Sequence, residues 1–362
     1  MSYQPPADWL RSQTLAHASA LPAPLYTCPQ AFAAEQSSVF AHSWQLVAHA
    51  AQLAHTGDHV VTDIAGLPLL VVRDSAGTLR AFHNVCRHRA GPLALCDGRG
   101  ARALRCRYHG WTYTLEGDLR SAPDMAEASG FDVADVRLPE VQVACWRGHV
   151  FVAVAAAPAL DLVLDGVDAR VGSLPIEDYV FDRRISYTIA ANWKTYVDNY
   201  LEGYHLPHIH PGLNRLLDYR SYTTTTAAWH SLQASPIRDA ENFYGSGEAL
   251  YYFVYPNTML NILPGRLQTN RIVPIDAGHC RIDFDYFYPA DTVDAAEVAR
   301  REQDLAFSDE VQHEDIGICE AVQQRLASGS YVAGRLSPRR ESGVHHFHEL
   351  IRQAWREAGS LG

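Results

Sequence analysis

The chain has 362 residues, enough for two to three domains at about 150 residues each. Its 47% hydrophobic and 20% charged residues are ordinary globular composition and exclude an intrinsically disordered chain. A formal charge of −11 without a basic tract argues against nucleic acid as a partner, and the longest apolar run, Val150 to Leu160 with Pro158 inside it, falls short of the roughly 20 residues that span a membrane.

Met1 to Leu10 lack the basic and apolar regions of a secretory signal. Seven cysteines, an odd number spread thinly, read as thiols in a reducing compartment, the cytoplasm. Residues 1–42 form an N-terminal segment with one helix, carried by Phe32, Gln36, Val39 and Phe40, packing on the C-terminal domain. His59–Thr62, Leu69–Arg73 and Thr78–Phe82 are β-type runs, the last two joined by the turn sequence Asp74-Ser75-Ala76-Gly77. Short strands continue to Phe151–Val154, so residues 43–155 read as an all-β domain, closed by the break at Ala155–Pro158. Residues 156–362 are mixed. Arg184–Ile189 alternates as a strand, and Asn192–His205 has helical spacing through Trp193, Tyr196, Val197, Tyr200 and Tyr204. Leu250–Leu263, Gln268–Pro274 and Cys280–Tyr288 read as three antiparallel strands, and Asp294–Leu326 and Val344–Ala358 as helices. The fold class expected is α+β. No Gly-x-Gly-x-x-Gly follows a strand and no Walker-type loop is present, so no nicotinamide site is visible.

Two constellations carry chemistry. Cys86-Arg87-His88 and Cys106-Arg107-Tyr108-His109 each bring a thiolate and an imidazole to the tip of a turn, beside Gly91-Pro92 and Gly110-Trp111. A mononuclear zinc ion could use the same set. The spacing fits a Rieske [2Fe–2S] cluster better, because there two histidines replace two cysteines on one iron. Cys28, Cys96, Cys145, Cys280 and Cys319 have no partner at ligand spacing and read as small buried hydrophobes.

The second constellation runs from Asn199 to His210. Glu202 and His205, three apart, share one helix face, and Pro207 turns the chain so that His210 can return to the same metal as His205. Two histidines and one carboxylate on one face are the facial triad of non-haem Fe(II) oxygenases, which leaves open positions for O2. Asp315 is the third ligand chosen; Glu314 is the fallback, with Asp309 and Glu310 behind it. His208 is an alternative to His210 and reads rather as a supporting residue.

With both constellations on one chain, the sequence resembles a Rieske non-haem iron oxygenase α subunit over nearly its whole length. The resemblance is carried by Phe82-His83-Asn84-Val85-Cys86-Arg87-His88-Arg89-Ala90-Gly91, by Cys106 to Tyr113, by Asn192-Trp193-Lys194 and by Asn199 to Pro211. It implies a Rieske domain followed by a helix-grip catalytic domain, assembled as a head-to-tail homotrimer. It also implies electrons from NAD(P)H through a separate flavin/iron-sulfur reductase, O2 as co-substrate, and a carboxylate bridging a cluster histidine of one subunit to the iron of the next. That position is Glu202 here, where many members have Asp, and Asp198 is the alternative bridge.

Asn199 to His205, Tyr255 to Asn261 and Glu314 to Glu320 look most like the quaternary-ammonium branch, which handles choline, carnitine and betaines. A trimethylammonium group has no N–H and is best held by aromatic faces; Tyr196, Tyr200, Tyr204, Trp229, Tyr251, Tyr252, Phe253 and Tyr255 are the candidates. Arg266 or Arg271 could meet a substrate carboxylate. The competing readings are an aromatic-ring hydroxylase or O-demethylase, and a pure electron-transfer Rieske protein. His345, His346 and His348 read as structural.

Overall fold

The computed structural model describes residues 3–64, 66–238, 242–290 and 294–360. Met1, Ser2, Leu361 and Gly362, at the ends of the expected segments, lie outside them. The chain divides into two compact units, Phe40–Leu160 and a second made of Met1–Val39 with Asp161–Gly362. The expected borders at 42/43 and 155/156 differ from these by a few residues.

In the Phe40–Leu160 unit six strands form an antiparallel sheet in the order Gln45–His49, His149–Ala153, Glu140–Trp146, Leu79–His83, Leu67–Arg73 and His59–Ile64. Leu69 to Val72 are all fully buried, so this strand is covered on both faces and reads as a continuous apolar run. Asp74 makes the predicted turn. Its Oδ1 accepts from the N–H groups of Ala76 (3.0 Å) and Thr78 (2.7 Å). A second sheet of three short strands, Leu104–Arg105, Thr112–Tyr113 and Leu119–Ser121, carries the Cys106 loop. Cys86 and Cys106 belong to one core cluster with Leu70, Phe82, Trp111 and Tyr113.

The second unit is built on seven antiparallel strands in the order Val180–Ile189, His279–Tyr288, Arg266–Asp276, Thr258–Leu263, Glu248–Val254, His230–Pro236 and Thr223–Thr226. The expected single strand over Leu250–Leu263 is two, because Tyr255-Pro256-Asn257 turns the chain between them. Thr223–Thr226 and His230–Pro236 were not expected as strands. The long helix Ala295–Ala327 lies against the sheet. Leu305, Gln312, Cys319 and Leu326 recur every seventh residue on its buried face, joined by Asp304 and Gln323. Tyr286 and Tyr288, on one strand face, reach Ser308 (2.9 Å) and Asp304 (2.6 Å), four apart on the helix face.

The N-terminal segment contains the expected helix, Pro29–Glu35 running on into a π-helical turn at Gln36–Phe40, and a further short helix, Pro24–Thr27, precedes it across Cys28. It is anchored by a buried ion pair. Glu35 Oε2 accepts from Lys194 Nζ (2.8 Å) and from Trp193 Nε1 (2.9 Å), and both Glu35 and Lys194 are fully buried. No helix among the described residues is long and apolar enough to cross a membrane.

Candidate functional site

The two cysteine loops close in the same way. Cys86 N–H donates to Gly91 O (2.9 Å) and Ala90 N–H to Cys86 O (3.0 Å); Cys106 N–H donates to Trp111 O (2.9 Å) and Gly110 N–H to Cys106 O (3.0 Å). The fourth residue after each cysteine has positive φ, Ala90 at 58° and Gly110 at 75°. This folding buries both cysteines and carries the histidines toward the tips. The His88 and His109 rings lie 4.6 Å apart, and His88 stacks on Trp111 at 4.7 Å.

Three observations show that these residues fit an iron–sulfur cluster. His88 Nδ1 is buried and has no hydrogen-bond partner. A Cβ on Gly91 would stand 2.7 Å from Cys106 Sγ, so the glycine leaves the sulfur its room. The Tyr113 hydroxyl lies 3.2 Å from Cys86 Sγ, as a partner to a metal-bound sulfur should. Among the described residues, one set of three metal-ligating side chains has its ligand atoms all within 4.8 Å of one another.

That set is His205, His210 and Asp315. Helix Trp193–Tyr200 starts at Asn192, whose side chain accepts from Lys194 N–H (3.0 Å), and ends at Leu201. The expected helix through His205 is therefore too long, and Glu202 and His205 do not share a helix face. Gly203 packs so closely on Tyr222 that a Cβ would lie 2.8 Å from its ring, and the chain bends there. His205 caps the start of a short helix, Leu206–Ile209, and His210 its end. Pro207 sits in that first turn, where its missing N–H costs nothing, and does not break the preceding helix.

Each imidazole is held from behind by a carboxylate. Glu202 Oε1 accepts from His205 Nδ1 (2.6 Å), while its other oxygen accepts from the N–H groups of Tyr204 and His205. Glu314 Oε2 accepts from His210 Nδ1 (2.6 Å). Both Nδ1 atoms carry protons, so both Nε2 atoms are free to ligate. These nitrogens face Asp315 Oδ1, at 3.8 Å from His205 and 3.0 Å from His210. Asn199 Nδ2 donates to the same oxygen (2.6 Å). Burial alone would lower the pKa of His210, but Asp315 and Glu314 outweigh it and raise it. A facial triad of two imidazoles and one carboxylate suits Fe(II).

Glu314, the fallback ligand, thus stands behind His210. Asp309 accepts from Tyr187 instead (2.7 Å), and Glu310 and His208 are exposed. Asp198, the alternative bridge, accepts from Tyr26 and from His348 Nε2 (2.9 Å). His345 Nε2 donates to Gln13 O (2.6 Å), so these C-terminal histidines join chain segments.

The trio opens into a cavity lined by Tyr196, Tyr200, Tyr222, Tyr251, Phe284 and Phe307 among others. Tyr196 and Tyr200 donate to Gln312 Oε1 and Asn261 Oδ1 (both 2.6 Å), two residues that also line the cavity. Burial pushes the hydroxyls of Tyr196, Tyr200 and Tyr222 well above the usual phenol range, so they stay neutral. Of the expected aromatic candidates, Tyr204 is exposed, and Trp229, Tyr252, Phe253 and Tyr255 do not line the cavity. Arg266 lines it; Arg271 does not, and pairs with Asp283 (3.2 Å). Sequence reasoning missed Asn199, Glu314 and Tyr113 as supporting residues. The adjacency of Glu314 to Asp315 was the one signal available. The five other cysteines are not alike: Cys280 and Cys319 are buried as expected, whereas Cys28 is partly exposed and Cys96 and Cys145 are exposed.

Both sets of residues fall within stretches that match known families. The Rieske [2Fe-2S] domain family matches residues 43–146, and the ring hydroxylating alpha subunit (catalytic domain) family matches residues 176–357. The chain is 37% identical over 358 residues to the chloroplastic choline monooxygenase of Arabidopsis thaliana, covering 93% of this chain and 83% of that one. It is 31% identical over 356 residues to the carnitine monooxygenase oxygenase subunit of Escherichia coli (strain K12), covering 93% and 94%. It superposes with a TM-score of 0.86 and 27% identity on a quaternary ammonium Rieske monooxygenase, a structure bearing on carnitine oxidation by gut microbiota and on inter-subunit electron transfer, covering 98% of this chain and 100% of that one. The chain belongs to the Rieske oxygenases with a ring-hydroxylating-type α-subunit catalytic domain.

Proposed function

We propose that this chain is the terminal oxygenase of a monooxygenase system that hydroxylates or N-demethylates a small quaternary ammonium compound. The observation that carries the reading is the His205, His210 and Asp315 trio at the head of a cavity walled by tyrosine and phenylalanine rings. Ring faces attract a cation that cannot donate hydrogen bonds. The names of the relatives point the same way.

In this reading Cys86, His88, Cys106 and His109 hold the [2Fe–2S] cluster, and His205, His210 and Asp315 hold Fe(II). When bound, the cluster supplies single electrons and the iron supplies open positions at which O2 is activated. Glu202 and Glu314 keep the Nδ1 protons of His205 and His210, which fixes both rings with Nε2 toward the iron. Asn199 orients Asp315. Leu206, Leu213, Leu217 and Val311 keep bulk water from the reacting end.

Electrons come from NAD(P)H through a separate flavin/iron-sulfur reductase, and the oxygenase works as a head-to-tail homotrimer in the cytoplasm. Glu202 is the bridge from a cluster histidine of the neighbouring subunit to His205. Its carboxylate is already on His205, whereas that of Asp198 is taken by Tyr26 and His348. The test is a product screen by mass spectrometry with a surrogate reductase, NADH and O2. Gain of one oxygen, or loss of a methyl group, on an ammonium compound supports the reading. Turnover of small aromatics alone overturns it in favour of an aromatic-ring hydroxylase or O-demethylase.

A further inference from the structure

The substrate cavity has a far end that the metal trio does not use. From Asp315 it follows the long helix toward its N-terminus, past Gln312, Ser308 and Phe307. Asp304 lies one turn beyond Ser308. Eleven residues make close to three turns, so Asp304 and Asp315 share a helix face, about 16 Å apart along the axis. At this far end stands Arg266, the first residue of its strand, followed on the same strand face by Gln268 and Asn270, which also line the cavity.

Arg266 is only 4% exposed. Its Nη1 donates to Asp304 Oδ1 (2.7 Å), and Asp304 also accepts from Tyr244, and from Tyr288 at 2.6 Å. The guanidinium is thereby fixed in place and kept charged. Its Nε–H nevertheless meets no acceptor. Among the described residues that line the cavity, one other buried side-chain atom lacks a partner, and it too is a donor: Gln312 Nε2. An unmade hydrogen bond of a buried donor is costly, more so for a charged group. A fixed positive charge in the cavity wall suits a ligand that brings acceptors. Choline is a net cation with one hydroxyl; a carboxylate brings two oxygens and the opposite charge.

We propose that Arg266 binds a substrate carboxylate, so that the substrate is a zwitterionic betaine with its carboxylate several bonds from the quaternary nitrogen, and not a net cation. Asp304 is the positioning residue that holds the guanidinium. The assignment rests on the quaternary-ammonium reading of the site. It adds an anionic end to a substrate whose cationic end sits among the aromatic rings.

The test is calorimetric titration of γ-butyrobetaine, its methyl ester and choline into oxidised holoenzyme without reductant, where binding is read apart from turnover. The acid should bind at least about 30-fold more tightly than the ester or choline. Arg266→Gln should bring the acid to the level of the ester while the ester itself moves less than about threefold. Because this variant strands Asp304, the double variant Arg266→Gln/Asp304→Asn is measured beside it and should show the same loss of preference. Equal binding of acid and ester by the unaltered enzyme, or a preference that survives both variants, overturns the assignment. If acid and ester bind equally and both are turned over, the ammonium reading stands and only the role of Arg266 falls. If no ammonium compound binds while a small aromatic is turned over, the ammonium reading fails and takes this assignment with it.

Discussion

The histidine–carboxylate trio shows how residue type and spacing make a candidate site legible. Imidazoles and carboxylates are rare enough in such density that Glu202, His205, His210 and Asp315 stand out in the sequence, and the fold brings three of them within 4.8 Å. Their supports were not legible, because Asn199 meets Asp315 and Glu314 meets His210 across more than a hundred residues of chain. The chemistry separates the two kinds of residue. Asp315→Ala and His205→Ala should lose mononuclear iron and turnover, by at least about a hundredfold, while the visible absorption of the cluster remains. Parallel iron analysis and spectra of the purified variants check this, and loss of both signals together would contradict two independent metal sites. Glu202→Gln keeps a partner on His205 Nδ1 but removes the negative charge. Iron content should change little and single-turnover electron delivery should slow by about tenfold or more. Normal transfer in that variant would remove Glu202 from the path.

Elements were legible where periodicity was strong and illegible where a tertiary contact decided the boundary. The long helix lies within one residue of its expected bounds because its capping Asp294 and its apolar repeat agree. The helix expected through His205 stops at Leu201 because Glu202 draws the next backbone N–H groups to its own carboxylate, a competition that residue spacing cannot show. The cluster loops give a prediction at this scale. Gly91→Ala puts a Cβ 2.7 Å from Cys106 Sγ, and the loop must shift to admit it. The variant should fold with cluster content reduced severalfold, read from absorbance and acid-labile sulfide; unchanged content would show that the loop yields freely.

The anchor of the N-terminal helices is open to a test with a pH sign. Burial raises the pKa of Glu35 against the opposing pull of Lys194, and burial likewise lowers that of Lys194. Lys194→Met removes that pull, so the Glu35 carboxyl rises further. A raised carboxyl contributes its full stability below the unfolded pKa and loses it as pH rises through the folded value. The variant should therefore be weakened by about 3–5 kcal/mol at pH 8 and by less at pH 5. Melting curves at the two pH values check this, with Glu35→Gln/Lys194→Met recovering most of the loss.

At the scale of the whole molecule, order along the chain was the informative signal: an all-β unit carrying the cysteine loops, then a mixed unit carrying the histidine trio. Apolar content said nothing of it, since both units have ordinary cores. The seven-strand sheet was only partly legible, because Thr223–Thr226 is a run of threonines with no apolar face to mark it as a strand. Assembly is the property that a single chain leaves to chemistry. If electrons pass from the cluster of one subunit to the iron of the next, a ring of three has three such boundaries, each using one site from each neighbour. Chains carrying Cys106→Ser have a working iron and no cluster; chains carrying Asp315→Ala have a working cluster and no iron. Each variant on its own should be inactive. Co-expressed with different affinity tags and purified through both, mixed rings should regain activity. A mixed ring of three, whichever variant is in the majority, has one boundary at which a working cluster feeds a working iron, so about a third of the unaltered activity per chain is expected. Transfer within one chain predicts none at any mixing ratio, because no chain then holds both working sites.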